Sequence, residues 1–153
     1  MTISTLISID AISLDLISRT KDGVLFELAE LLDSSKCISN LSLFIKDIKQ
    51  RESLGSTGIG YGIAIPHAKS SHVLKPCIAF GKSLEGIDFE SMDEEVANLF
   101  FMIAMPLDGA NLHLKALAIL SRHLMHEDFR EKLWLIESKE AFLDLIKHMD
   151  QEG

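Results

Sequence analysis

The sequence predicts an α/β fold: a single layered domain in which a small mixed central β-sheet is flanked by helices. Three observations point there. Apolar residues recur at helical spacing before residue 50 and again after residue 112, while the middle of the chain holds short apolar runs bounded by Gly, Pro or charge. Some connections between those runs are too short for a helical crossover, so the strands cannot all be parallel. At 153 residues the expectation is one domain over residues 1–153, with no repeat, linker or low-complexity tract.

Taken in order, Val24, Leu25, Leu28, Leu31 and Leu32 define a first helix from about Lys21 to Leu32. Asn40 is placed to cap a second, with Leu41, Phe44, Ile45 and Ile48 on one face before Arg51 and Glu52. From Gly55 to Gly62 four glycines in eight residues rule out a helix, and they lead into the apolar stretch Ile63-Ala64-Ile65, which Pro66 stops. Cys77 to Phe80 and Leu99 to Met105 read as buried strands, with Glu85-Gly86-Ile87 as a turn between them. Leu107 to Asn111 is a loop. A third helix then carries Leu114, Leu117, Ala118, Leu120, Leu124 and Met125, a fourth runs from Phe129 to Ile136 and begins near Asp128, and Ser138 caps a last one whose inner face is Phe142, Leu145, Ile146 and Met149.

Composition narrows the partners. A net charge of -8 argues against nucleic acid or an anionic membrane, either of which needs a basic surface, though it leaves a local anion site open. The longest apolar run, Leu99 to Met105, falls far short of the ~20 residues that span a bilayer, so no direct membrane insertion is expected. The first positive side chain is Arg19, which does not make a secretory signal, so a cytoplasmic location is expected. Cys37 and Cys77 form no CxxC and read as two buried free thiols.

Several motifs invite chemistry. The stretch Gly55 to Gly62 has the look of a phosphate loop, but it follows a helix and leads to a strand, the reverse of a dinucleotide fingerprint. Gly81-Lys82-Ser83 resembles the tail of a Walker motif, yet Pro76 stands where its first Gly belongs. His123 and His126 are one helical turn apart without a third ligand spaced to join them, so neither a metal nor a cofactor is expected. His72 and His148 read as surface residues. His67 follows Pro66 at a strand end, where sites gather in α/β sheets, and can equally be a turn residue satisfied by backbone. His113 falls in the first turn of its helix, where the positive dipole end favours an anion and disfavours imidazolium.

Arg51-Glu52-Ser53-Leu54-Gly55-Ser56-Thr57-Gly58-Ile59-Gly60, then Gly62-Ile63-Ala64-Ile65-Pro66-His67, resembles the enzyme IIA domain of the fructose-mannitol class, part of the bacterial phosphoenolpyruvate-dependent sugar phosphotransferase system. The likeness continues through Leu99 to Ala104 and Gly109 to Leu114 and covers nearly the whole chain. It implies that His67 accepts a phosphoryl group from the phosphocarrier protein and passes it to a cysteine of a IIB domain. It also implies supporting roles for His113, as a donor to phosphoryl oxygens, and for Arg51, with Ser56 and Thr57 adding hydroxyl donors. No free sugar binding is expected. Because two partners must reach His67 in turn, we expect a shallow depression with an apolar rim that includes Ile59, Tyr61 and Ile63. Tyr61 and Glu94-Glu95 depart from the family's usual residues, which bears on partner preference more than on chemistry. The nitrogen-related branch shares the signature and uses the same His to switch protein binding, so both a fructose-type transport role and a regulatory one remain open.

Overall fold

The computed structural model describes residues 2–152. Its elements are β1 (Ile12–Ser13), α1 (Lys21–Ser34), α2 (Leu41–Ser53), β2 (Gly58–Gly60), β3 (Ile63–Ala64), β4 (His67–Lys69), β5 (Cys77–Ile87), β6 (Ala97–Met105), α3 (Leu112–Leu124), α4 (Glu127–Leu135) and α5 (Lys139–Gln151), after two single 3-10 turns at Ser4–Leu6 and Ile9–Ala11. The sheet runs β1-β5-β6-β3-β2, with β4 also on β6. Strand direction is mixed, as expected: β5 is antiparallel to β6, whereas β3 and β4 are parallel to it.

Strand β6 explains the layers. Its apolar residues alternate between two cores, Phe100, Met102 and Ala104 packing with α1 and α2, and Leu99, Phe101, Ile103 and Met105 packing with α3 and α5. A strand buried on both faces reads as a continuous apolar run, which is why it was visible in the sequence. Phe101 sits against Phe80, which stacks on Phe142 at 4.2 Å between centroids, so truncating Phe101 to Ala would cost about 3–5 kcal/mol.

The caps act where expected. The Asn40 side chain accepts from the Leu43 amide and that of Ser138 from the Ala141 amide. Three features differ from expectation. First, β5 continues seven residues beyond Phe80, and Glu85-Gly86 lies in an irregular stretch of the ladder rather than a turn, Gly86 having φ +84°. The polar Gly81-Lys82-Ser83 hides this extension, because the Lys82 ammonium is drawn inward to the carbonyls of Trp134 and Ile136, 2.9 Å each, at the end of α4. Second, Pro66 interrupts a strand without ending it: β3 and β4 lie in succession along β6, so His67 opens a strand instead of following one. Third, the apolar stripe of α3 is rotated, with Ala116, Leu120 and Leu124 buried while Leu114 and Met125 are exposed.

The glycine stretch forms the β2–β3 hairpin. Gly60, Tyr61 and Gly62 all have positive φ, which glycine accepts without steric cost, and at Gly58 an added Cβ would lie 2.5 Å from the Ser91 hydroxyl. Cys37 and Cys77 are both buried. Their side chains meet: the Cys77 thiol donates to Cys37 sulfur, holding Cys37 below the ordinary thiol range and pushing Cys77 above it.

Candidate functional site

A cleft of about 680 Å³ opens beside β4, between the end of α2 and the start of α3. His67, Arg51 and His113 all line it, together with Lys69, Asp47 and the leucines 54, 107 and 114. The register of β4 sets this arrangement. Successive strand residues point to opposite faces, so Ala68 enters the α1/α2 core while half-buried His67 and Lys69 point the other way.

His67 is held in one tautomer. Its Nδ1 lies 2.8 Å from the Ile65 carbonyl oxygen, which only accepts, so Nδ1 carries the proton and Nε2 keeps the lone pair. Burial is the main cause that lowers the His67 pKa below the ordinary imidazole value; the Ile65 hydrogen bond opposes it, the nearby Arg51 guanidinium adds to it and Glu52 opposes it. The ring is therefore neutral at pH 7. Arg51 is itself oriented, with its guanidinium donating to the Gly55 carbonyl at 3.1 Å.

His113 is the second residue of α3. Its Nδ1 is buried without a hydrogen-bond partner among the described residues, and a bare lone pair costs less there than an orphaned N–H, which favours the Nε2–H tautomer. Burial lowers its pKa, and the charges of Lys69 and His67 lower it further. Lys69 donates to the Ala110 carbonyl at 2.9 Å, tying the loop before α3 to β4. Lys69 was not singled out from the sequence, although its spacing of two from His67 on a strand carries the signal.

Ser56 and Thr57 are not brought to the cleft. The Ser56 hydroxyl donates to the Phe89 carbonyl at 2.7 Å, and that of Thr57 to buried Glu52 at 2.5 Å. Their positions correct the expectation that these hydroxyls face a phosphoryl group. The rim also differs. Ile63 is buried and Tyr61 packs under Arg130 in a separate hollow, so the exposed apolar edge of the cleft is Leu54, Leu107 and Leu114 instead. Of the remaining histidines, His123, His126 and His148 line another hollow of about 270 Å³, and no three His, Cys, Asp or Glu side chains among the described residues are placed to hold a metal ion. No helix among those residues is long and apolar enough to cross a membrane.

With this architecture and this cleft, the chain belongs to the phosphoenolpyruvate-dependent sugar phosphotransferase system, EIIA 2 family, whose family model matches residues 5–149. It is 43% identical over 144 residues to the PTS system fructose-specific EIIA component of Haloferax volcanii, covering 94% of each. It is 42% identical over 151 residues to the PTS system fructose-specific EIIABC component of Bacillus subtilis, of which it spans 24% of the length. Among solved structures, the nitrogen regulatory protein IIA-Ntr of Neisseria meningitidis superposes with a TM-score of 0.86 at 27% identity, over 94% of this chain and 98% of that one.

Proposed function

We propose that this chain is a cytoplasmic phosphoryl carrier of the sugar phosphotransferase system, acting as one domain, that takes a phosphoryl group onto His67 Nε2 and passes it to a IIB domain for fructose-type uptake. The observation that carries this is the 2.8 Å contact of Nδ1 with Ile65 O, which leaves a neutral ring with its lone pair on Nε2. The donor is the histidine of the phosphocarrier protein. In the step, the Nε2 pair forms the new N–P bond as the donor's N–P bond breaks, and that bond's electron pair returns to the donor ring. The proton stays on Nδ1, hydrogen-bonded to the Ile65 carbonyl, so the phospho-His67 ring is cationic and a good leaving group for attack by a IIB thiolate.

Transfer between side chains needs in-line placement and stabilised charge on the equatorial oxygens. His113 Nε2–H and the Arg51 guanidinium supply donors from two sides of the cleft. The leucine rim gives each partner the same apolar footing, and recognition of free sugar is left to other components.

The fructose reading draws on the two fructose-specific relatives. A regulatory reading, in which the phosphorylation state of His67 controls partner binding, draws on the likeness to the nitrogen regulatory structure. Phosphorylated protein mixed with a fructose-type IIB domain separates them. Rapid discharge onto the IIB cysteine is expected. Undetectable transfer to several sugar-class IIB domains, with tight partner binding by the unphosphorylated form, would favour regulation instead.

A further inference from the structure

Behind His67 a buried ion pair continues the hydrogen-bond pattern of the site. Glu52 ends the apolar stripe Phe44, Ile48 of α2 and is itself buried, 7% exposed, with its carboxylate 3.0 Å from the Lys21 ammonium. Its two oxygens accept from one residue: Oε2 from the Thr57 amide at 2.8 Å, and Oε1 from the Thr57 hydroxyl at 2.5 Å. Thr57 in turn accepts the Ile65 amide on its carbonyl at 3.0 Å, and Ile65 accepts the His67 Nδ1 proton. Thus the carboxylate, the threonine, the backbone before Pro66 and the imidazole form one continuous chain.

We infer that Glu52 is a positioning residue for phosphoryl transfer, holding Thr57 and through it the Ile65 carbonyl, so that His67 is locked as the Nδ1–H tautomer with Nε2 aimed into the cleft. This rests on the proposed role of His67 as acceptor. The logic is that of an outer carboxylate orienting a histidine, carried here through backbone instead of by direct contact. A carboxylate in this place has a reason that packing does not supply: an apolar residue would continue the stripe, leave two Thr57 donors unpaired and leave the Lys21 ammonium only its exposed partner Glu90. Arg51 is delivered by the same segment, since its own partner is Gly55, two residues before Thr57.

The experiment measures the 15N resonances of the His67 ring in the unphosphorylated protein, beside kcat and KM for phosphorylation by the phosphocarrier protein. Wild type should show one Nδ1–H tautomer. Glu52→Ala should give a tautomer mixture at His67 and a kcat lower by about tenfold or more, because small displacements of a reacting atom are costly, with a much smaller change in KM. Glu52→Gln keeps one acceptor for Thr57 and should recover part of both. If Glu52→Ala does not fold, Thr57→Val, which is nearly isosteric and loses only the hydroxyl link, decides by the same two readings. A folded variant with the wild-type tautomer and kcat, changed only in melting temperature, would make Glu52 a structural residue and overturn the inference. Failure of the wild type to accept any phosphoryl group would instead sink the proposed function, while the tautomer reading still tests Glu52.

Discussion

His67 and His113 line the same cleft, yet one stands on a strand pinned to the core and the other on a helix that starts in an exposed loop. On the strand side, the Ile65 carbonyl orients the ring, and residues 63–66 are buried. On the helix side, Leu107, Asp108 and Ala110 are exposed, Ala110 has φ +51°, Asn111 makes no side-chain cap, and Lys69 supplies a tether from β4. The difference suits the two roles proposed for these rings. Under the proposed function, the attacking atom sits on the pinned strand, whereas the donor to the oxygens depends on the Lys69 tether for the preorganisation it needs.

The largest effect follows from removing the placed atom. His67→Ala should abolish phosphorylation by the phosphocarrier protein while circular dichroism stays that of wild type, because the side chain is half-buried at the edge of the sheet. Stoichiometric acid-labile label on the variant would move the nucleophile to the helix side and reverse the comparison. On that helix side, His113→Ala should slow transfer by about a hundredfold, roughly 3 kcal/mol, and still leave His67 phosphorylated at long times. A wild-type rate would take His113 out of the reaction.

How much of this contrast was legible beforehand depended on whether a residue's environment came from its own element. The ends of α2 and α5 were readable because Asn40 and Ser138 act on amides three residues away. His67, His113 and Arg51 were readable from the ordered signature, and they do meet in one cleft. Thr57 was misplaced because its partner Glu52 lies across a helix end, where no period links the two; the hint was a carboxylate at i+4 from Ile48 on an apolar face. The burial of Lys82 was not legible for a related reason: the carbonyls that receive its charge are contributed by the end of α4, about fifty residues on. Tyr61 and Glu94-Glu95, the departures from the family's usual residues, lie away from the cleft, with Tyr61 and Glu94 at positive φ.

A smaller effect tests the tether. Lys69→Met removes the hydrogen bond to Ala110 and should speed amide hydrogen exchange at residues 107–113, with transfer slower by about three- to tenfold, the scale of one ordinary solvent-exposed hydrogen bond. Unchanged exchange would mean that the loop holds itself, and the strand and helix sides of the cleft would then be more alike than the hydrogen bonds indicate.

The smallest and sharpest difference is in titration. Burial lowers both histidines below 6.5, but the charges of Lys69 and His67 contribute only to His113. The sign follows from linkage: above pH 6.5 both rings are neutral whether the chain is folded or not, and they contribute nothing to stability. As pH falls through 6.5 the unfolded chain binds protons first, so stability declines from there until the folded pKa values are passed. In an NMR titration of the ring C–H signals both midpoints should lie below 6.5 in the wild type. Lys69→Met should raise the His113 midpoint, since a nearby positive charge has been removed, and His67→Ala should raise it too. A His113 midpoint indifferent to both substitutions would show that burial alone sets it, and the two rings would then be electrostatically independent despite sharing the cleft.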